Sequence, residues 1–113
     1  MSSQTDHEDH CLEILGKPWP EVHKWLDHYF IQVRGMAHRI LLHHQMGIEL
    51  GVTKFGEDAR AALELHITDD FGRILNGPIE VAVALSDRGY DILSAQVLLD
   101  ALWPGRFDLW DID

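Results

Sequence analysis

Glycine and proline residues divide the chain into segments of helical length, and this spacing limits the folds that the sequence can adopt. Gly16, Gly72 and the turns "KPWP", "LNGP" and "DRGYD" separate the apolar stretches from one another. Glycine commonly follows the end of a helix, and proline suits a helix's first turn. The pattern predicts helices over 6–15, 20–30, 32–51, 57–71, 78–88 and 91–102. We therefore expect an all-α fold, a compact bundle of five to six helices.

One of these segments is ambiguous. In "IEVAVAL", the larger apolar residues alternate with Glu80 and two alanines, which is also the pattern of a β-strand. The rest of the sequence offers no second strand to pair with it, and an isolated strand is not stable. We predict a helix over 78–88, with a strand as the alternative.

Length and charge narrow the class of protein. A chain of 113 residues suits a single domain, 1–113, and ends in an acidic, aromatic tail, "WPGRFDLWDID", at 103–113. Nine Lys and Arg against nineteen Asp and Glu give a net charge of −10, which disfavours direct binding to nucleic acid or to an anionic membrane. The single cysteine, the polar N-terminus and the absence of a long apolar run favour a cytoplasmic location.

The stretch "HRILLHHQMG", residues 38–47, concentrates three of the eight histidines in the predicted third helix. At 100° per residue, His44 falls in the middle of the apolar face and His43 at its edge. His38 points to the polar side, so we expect it to be solvated. An imidazole on a core-facing surface needs a polar partner, and among the three this argument singles out His44.

Two other helices carry a histidine and an aspartate one turn apart. His66 and Asp70 lie on the apolar side of the predicted fourth helix, and His23 and Asp27 lie on the flank of the second. A buried carboxylate is costly unless it is paired or coordinates a cation. Side chains at i and i+4 point to one place, which is how helical histidine pairs bind zinc.

These residues predict a mixed histidine and carboxylate metal site. The candidate ligands are His44, His66, Asp70, His23 and Asp27. Since no cysteine belongs to the set, zinc, manganese, iron or nickel would suit it. The alternative is structural: Asp70 holds His66 as a buried hydrogen-bonded pair, and His44 donates to a backbone carbonyl. His7 and His10, in "DHEDH", would supply a fourth ligand or belong to a flexible end.

The segments "HRILLHHQMGI" and "ELHITDDFG" resemble a family of small bacterial and phage proteins known as a domain of unknown function. That pattern has an HR…HH…GI helix followed by a helix with Glu, His-Ile, Asp and Gly, and an upstream segment similar to "VHKWLD" at 22–27. The similarity covers about residues 7–75, lacks the family's proline near Ile74 and does not extend to 78–113. The resemblance implies a shared site that includes His23 and Asp27, but no reaction.

The sequence predicts no catalytic residue. It contains no nucleophile elbow, phosphate loop, CxxC pair or HExxH motif. Whether the protein is an enzyme stays open. If it is one, the candidate ligands favour a metal-dependent hydrolase in which a metal-bound water is the nucleophile.

A second class of function rests on the acidic surface. Small acidic helical proteins can act as inhibitors or immunity-type proteins that bind a basic protein partner, and phage-encoded mimics of nucleic acid are one kind. Aromatic residues rimmed by charge are common in interfaces, and the tail offers Trp103, Phe107, Asp108, Trp110 and Asp111. The same tail can instead cover the protein's own core or form a dimer interface.

Overall fold

The computed structural model describes residues 4–33 and 35–112, and within them the secondary structure is helical, with no strand. The described residues form seven α-helices, with short 3₁₀ turns between some of them: α1 Gln4–Leu15, α2 Pro20–Asp27, α3 Arg39–Leu42, α4 Gln45–Phe55, α5 Arg60–Phe71, α6 Pro78–Asp87 and α7 Gln96–Leu102. The prediction of an all-α bundle is confirmed, and the ambiguous segment is the helix α6. No helix in this part of the chain has the length and apolar character needed to cross a membrane.

The predicted single helix over 32–51 is wrong. A 3₁₀ turn at Gly35–His38 leads into α3, and the chain then leaves helical geometry for two residues before α4 begins. His43 has φ −84° and ψ 56°, and His44 is fully extended, with φ −159° and ψ 177°. The two adjacent histidines therefore point in different directions, and the helix count rises above five to six.

Gly47 makes this break possible. A Cβ atom at Gly47 would lie 1.8 Å from the carbonyl oxygen of Leu42, at the end of α3. No side chain can occupy that space, because the obstacle is backbone. The first turn of α4 therefore lies directly against the end of α3, and this close approach fixes how the chain turns between them.

Helix α5 packs against α1, α2 and α4, while α3 packs against α6 and α7. The core between them is apolar, and its largest fully buried side chains include Leu26, Ile40, Leu41, Leu42, Ile48, Leu63, Ile67, Leu85, Leu99 and Leu109. Helix α1 contributes little to this apolar core, because the residues that it buries are His7 and Cys11. Polar side chains from α1, α2 and α5 meet beside His38 and His43, the residues that flank α3.

The C-terminal tail folds back onto α7. The side chain of Gln96 donates to the Phe107 carbonyl at 2.9 Å and accepts from the Leu109 amide at 2.6 Å. Leu109 is fully buried, and Phe107 packs against the core. Trp110, by contrast, is 70% exposed.

Candidate metal centre

Five buried histidines and two aspartates meet in one place, which we term the histidine–aspartate cluster. Its members are His7 of α1, His23 and Asp27 of α2, His38 before α3, His43 after α3, and His66 and Asp70 of α5. The side chain of Asp70 is fully buried, and that of Asp27 is 26% exposed. The cluster therefore lies inside the bundle, with Asp27 as its most accessible carboxylate.

Asp70 contacts polar groups through both carboxylate oxygens. Its Oδ1 lies 3.1 Å from His7 Nε2 and 3.7 Å from Arg39 Nη2. Its Oδ2 lies 3.2 Å from His43 Nε2 and 3.3 Å from His66 Nε2. Burial alone would raise the pKa of Asp70, but hydrogen bonds from these histidines outweigh it and hold the pKa well below its usual range. Asp70 is therefore a buried carboxylate that stays charged.

Asp27 also contacts three imidazoles, all of them through one carboxylate oxygen. Its Oδ1 lies 3.3 Å from the Nε2 atoms of His38 and His43 and 3.4 Å from His66 Nε2. Burial again opposes ionisation, and the three imidazoles again outweigh it, so the pKa of Asp27 is well below its usual range. Two charged carboxylates thus face the same group of imidazole nitrogens.

Four nitrogen–oxygen separations in the cluster match those between ligands of a metal ion. The Nε2 atoms of His43 and His66 each lie 3.2–3.4 Å from both Asp27 Oδ1 and Asp70 Oδ2. A single N–H can point well at only one acceptor, whereas each nitrogen here lies between two. In a tetrahedral site with bonds of about 2.0–2.1 Å, neighbouring ligand atoms are roughly 3.3 Å apart. These four nitrogen–oxygen separations match that value.

Hydrogen bonds at Nδ1 orient two of the imidazoles, those of His66 and His38. His66 Nδ1 lies 2.9 Å from His23 Nδ1, and His38 Nδ1 lies 2.5 Å from the Gly35 carbonyl oxygen. Burial and the neighbouring imidazoles of His66 and His7 lower the pKa of His23 to about 4, so His23 is neutral and accepts from His66. A histidine whose Nδ1–H is held in this way presents Nε2 to the cluster, as metal-ligating histidines do.

A proton and a metal ion would compete for His66 Nε2. Burial lowers the pKa of His66, but hydrogen bonds to Asp27 and Asp70 outweigh it and raise the pKa above its ordinary value. The protonated ring can donate from Nδ1 to His23 and from Nε2 to the carboxylates. Metal binding would displace the Nε2 proton, so binding and proton release are coupled.

The structure brings four of the five predicted ligands together. His66, Asp70 and Asp27 form a set with His7 in which one donor atom of each lies within 4.8 Å of the others. A second set contains Asp27, His38 and His43, and a third contains His7, His23 and His66. Buried histidine and aspartate groups that could hold a metal ion are therefore present, and His23 joins them by its position behind His66.

His44, the remaining predicted ligand, lies outside these sets and has a structural role. Its Nε2–H points at the carbonyl oxygens of Ile40 and Leu41, at 2.9 and 3.1 Å, and its Nδ1 accepts from the Gly47 amide at 3.1 Å. It therefore caps the N-terminus of α4 and closes the end of α3, which leaves no ring nitrogen for a metal. The hydrogen bond to a backbone carbonyl is the structural alternative raised for this residue.

Three members of the cluster were missed or undervalued by the sequence analysis. The prediction that His38 is solvated is wrong, because its side chain is buried beside Asp27. His43 faces Asp70 rather than a helix edge. The "DHEDH" tract divides, with His7 in the cluster and His10 at the surface, 2.6 Å from Asp69. One available signal was the i,i+4 spacing of His7 and Cys11, the two buried positions of α1.

The pKa of His44 predicts an acid-sensitive cap. Burial lowers its pKa from the ordinary 6.5 to about 4, so the unfolded chain binds this proton more readily than the folded chain. The resulting stability is present above pH 6.5 and is lost as pH falls toward 4, by about 3 kcal/mol in all. His44→Asn keeps a side-chain oxygen for the Gly47 amide but does not titrate.

Between pH 7 and pH 4, we expect the free energy of unfolding to fall less for the His44→Asn variant than for the wild type. The difference between the two losses should be up to about 3 kcal/mol. Urea unfolding of both proteins at the two pH values measures the difference, and the groups that they share cancel. Equal losses in the two proteins would contradict a neutral, buried His44 cap.

Comparison of the chain with protein-family models, with curated proteins and with solved structures gave no match. The resemblance to the bacterial and phage family therefore stays a prediction. Functional interpretation rests on the geometry of the histidine–aspartate cluster.

Proposed function

We propose that the protein binds a divalent transition-metal ion in the histidine–aspartate cluster. The observation that supports this proposal is that two charged carboxylates share the same two imidazole nitrogens, at 3.2–3.4 Å. The inner ligands would be His66, Asp27 and Asp70, which share one set of donors, together with His43, whose Nε2 atom faces both carboxylates. His7 borders the same site, and His23 would orient His66.

Charge balance favours a cation at this position. Asp27 and Asp70 carry two negative charges, and Arg39 lies 3.7 Å from Asp70. With Arg39 and neutral imidazoles, one negative charge stays uncompensated in a largely dry environment, which is costly unless an imidazole such as that of His66 is protonated. A divalent ion between the carboxylates would take the place of such a proton, while Arg39 stays ion-paired with Asp70 Oδ1.

The donor set also limits the choice of metal. Imidazole and carboxylate ligands without thiolate suit zinc, manganese, iron or nickel, and the near-tetrahedral spacing favours zinc among them. If one of the inner ligands stays off the ion and leaves a position for water on the side of Asp27, where the cluster is most accessible, hydrolysis is the reaction that such a site would support.

The test is metal content together with thermal stability. Wild-type protein purified without a nickel column should contain at least one equivalent of a divalent transition metal per chain by elemental analysis. A ligand at 100 times its dissociation constant stabilises the folded state by about 2.7 kcal/mol, so chelator should lower Tm by roughly 10 °C.

Adding the metal back after removal of the chelator should restore the original Tm. Protein that contains no metal, and whose Tm changes neither with chelator nor with added metal, would refute the proposal. The cluster would then be a buried network of histidine–aspartate hydrogen bonds.

The alternative, an acidic protein that binds a basic partner, has one observation in its favour. Trp110 is largely exposed beside Asp108, whose Oδ1 accepts from the Trp110 amide at 2.9 Å. Phe107 and Leu109 are held by the core, so Trp110 is the aromatic anchor that the tail offers. Absence of metal from the wild-type protein would make this the better hypothesis.

A further inference from the structure

We infer that the histidine–aspartate cluster holds two metal ions, with Asp27 as a shared ligand and His38 as a ligand of the second ion. This inference rests on the proposed function and goes beyond it in the number of ions and in the role of His38. It follows from how the donor atoms are grouped.

Two of the three donor sets share Asp27. His7, Asp27, His66 and Asp70 make up one set, and Asp27, His38 and His43 make up the other, each with donor atoms within 4.8 Å of one another. The ligand atoms of one ion lie close to one another, and none of the sets found among the described residues contains both His38 and Asp70. Two sets that overlap in one carboxylate match two ions bridged by that carboxylate.

Asp27 has the contacts expected of a bridging ligand, and Asp70 faces histidines of both sets. Three imidazole nitrogens approach Asp27 Oδ1 from different segments of the chain, at 3.3–3.4 Å. The two oxygens of Asp70 face different histidines, Oδ1 toward His7 and Oδ2 toward His43 and His66. Paired metal ions in proteins lie about 3.5–4 Å apart, which is within the reach of such carboxylates.

The role of His38 distinguishes a one-ion arrangement from a two-ion arrangement. It contacts Asp27 but belongs to a different set from Asp70 and His66, so a single ion between the two carboxylates leaves it as a hydrogen-bond donor only. Yet its imidazole is fully oriented. The Gly35 carbonyl holds Nδ1 at 2.5 Å, and the Phe30 ring packs edge-on at 5.2 Å between ring centres. Such orientation is typical of a metal ligand.

Two divalent ions bring four positive charges against the two carboxylates, and Arg39 adds one more. This excess is reduced, though not cancelled, when an ion-bound water loses its proton to solvent and becomes hydroxide, because metal ions lower the pKa of bound water to about 7. The centre would then carry a nucleophile beside Asp27, the accessible edge of the cluster.

The test is the stoichiometry of Zn²⁺ binding to the full-length, chelator-treated protein, measured by calorimetry and by elemental analysis after dialysis. We expect two ions per chain for the wild type and one for His38→Gln. The matched control is His28→Gln, because His28 is a surface histidine one residue from Asp27, with Nδ1 bonded to the Trp25 carbonyl. That variant should bind two ions.

One ion in the wild type would overturn the two-ion inference and leave the proposed function intact, whereas no ion would overturn both. Two ions in His38→Gln would refute the role of His38. Should that variant fail to fold, the wild type loaded with two equivalents of Mn²⁺ gives a separate test. Its electron paramagnetic resonance spectrum should show magnetic coupling between the ions, and a spectrum of isolated Mn²⁺ would refute the inference.

Discussion

Replacing Asp70 with asparagine is expected to lower the affinity for Zn²⁺ by about 100-fold or more. Asp70 contacts His7, His43 and His66 and is the fully buried carboxylate of the cluster. Asparagine offers one neutral oxygen, and its amide group would face imidazole nitrogens. Even residues that only orient ligands change metal affinity by 10- to 100-fold, so a direct ligand should change it at least as much. Calorimetry on the chelator-treated variant measures the loss.

The neighbouring residue provides a matched control. Asp69→Asn makes the same chemical change on the same helix, but Asp69 pairs with His10 at the surface, at 2.6 Å. This variant should bind Zn²⁺ with wild-type affinity. Equal affinities for the wild type and Asp70→Asn would exclude Asp70 as a ligand. Circular dichroism before the titration shows whether Asp70→Asn is folded, so that a variant that fails to fold is not mistaken for one that fails to bind Zn²⁺.

Replacing Gly47 with alanine is expected to destabilise the fold by more than about 3 kcal/mol. The new methyl group would lie 1.8 Å from the Leu42 carbonyl oxygen and 2.5 Å from its carbon. Overpacking against side chains typically costs 1–3 kcal/mol, and a backbone obstacle cannot relax by changing rotamer. The end of α3 and the start of α4 would have to separate, which would also displace His43. Urea unfolding gives the change in free energy.

Gly51, in the same helix and also buried, is the control for this substitution. Alanine there would meet the methyl carbons of Leu63 at 2.7 Å and the Trp25 ring at 3.0 Å. These are side chains, which can shift, so Gly51→Ala should cost about 1–3 kcal/mol. A smaller loss for Gly47→Ala than for Gly51→Ala would show that the break between α3 and α4 can be rebuilt.

Most helix positions could be predicted because local chemistry determines them. Pro20 and Pro78 begin α2 and α6, and Gly72 follows the end of α5 with φ 85°. The break after α3 has no such marker. It depends on the cap that His44 makes to the Gly47 amide and on contact between backbones, and a helical wheel assumes that neither exists.

That single error explains the misplaced histidines. Over an unbroken helix, His44 faces the core and His38 faces solvent, whereas the 3₁₀ turn and the extended residue rotate both. The pairing of His66 with Asp70, by contrast, needs only i,i+4 spacing and is found at 3.3 Å. His7 reaches Asp70 across 63 residues of sequence, and local periodicity contains no information about such a contact.

Helix α1 is attached to the bundle partly through the histidine–aspartate cluster. This helix of twelve residues buries only His7 and Cys11, so little apolar surface holds it to the bundle. The pairing of His7 with Asp70 inside the cluster is one of the polar contacts that hold α1 to α5. Occupancy of the cluster would therefore govern whether the N-terminal segment stays docked. A cell short of the ion would meet a chain whose first helix is open to proteases, so that metal supply would set the lifetime of the protein.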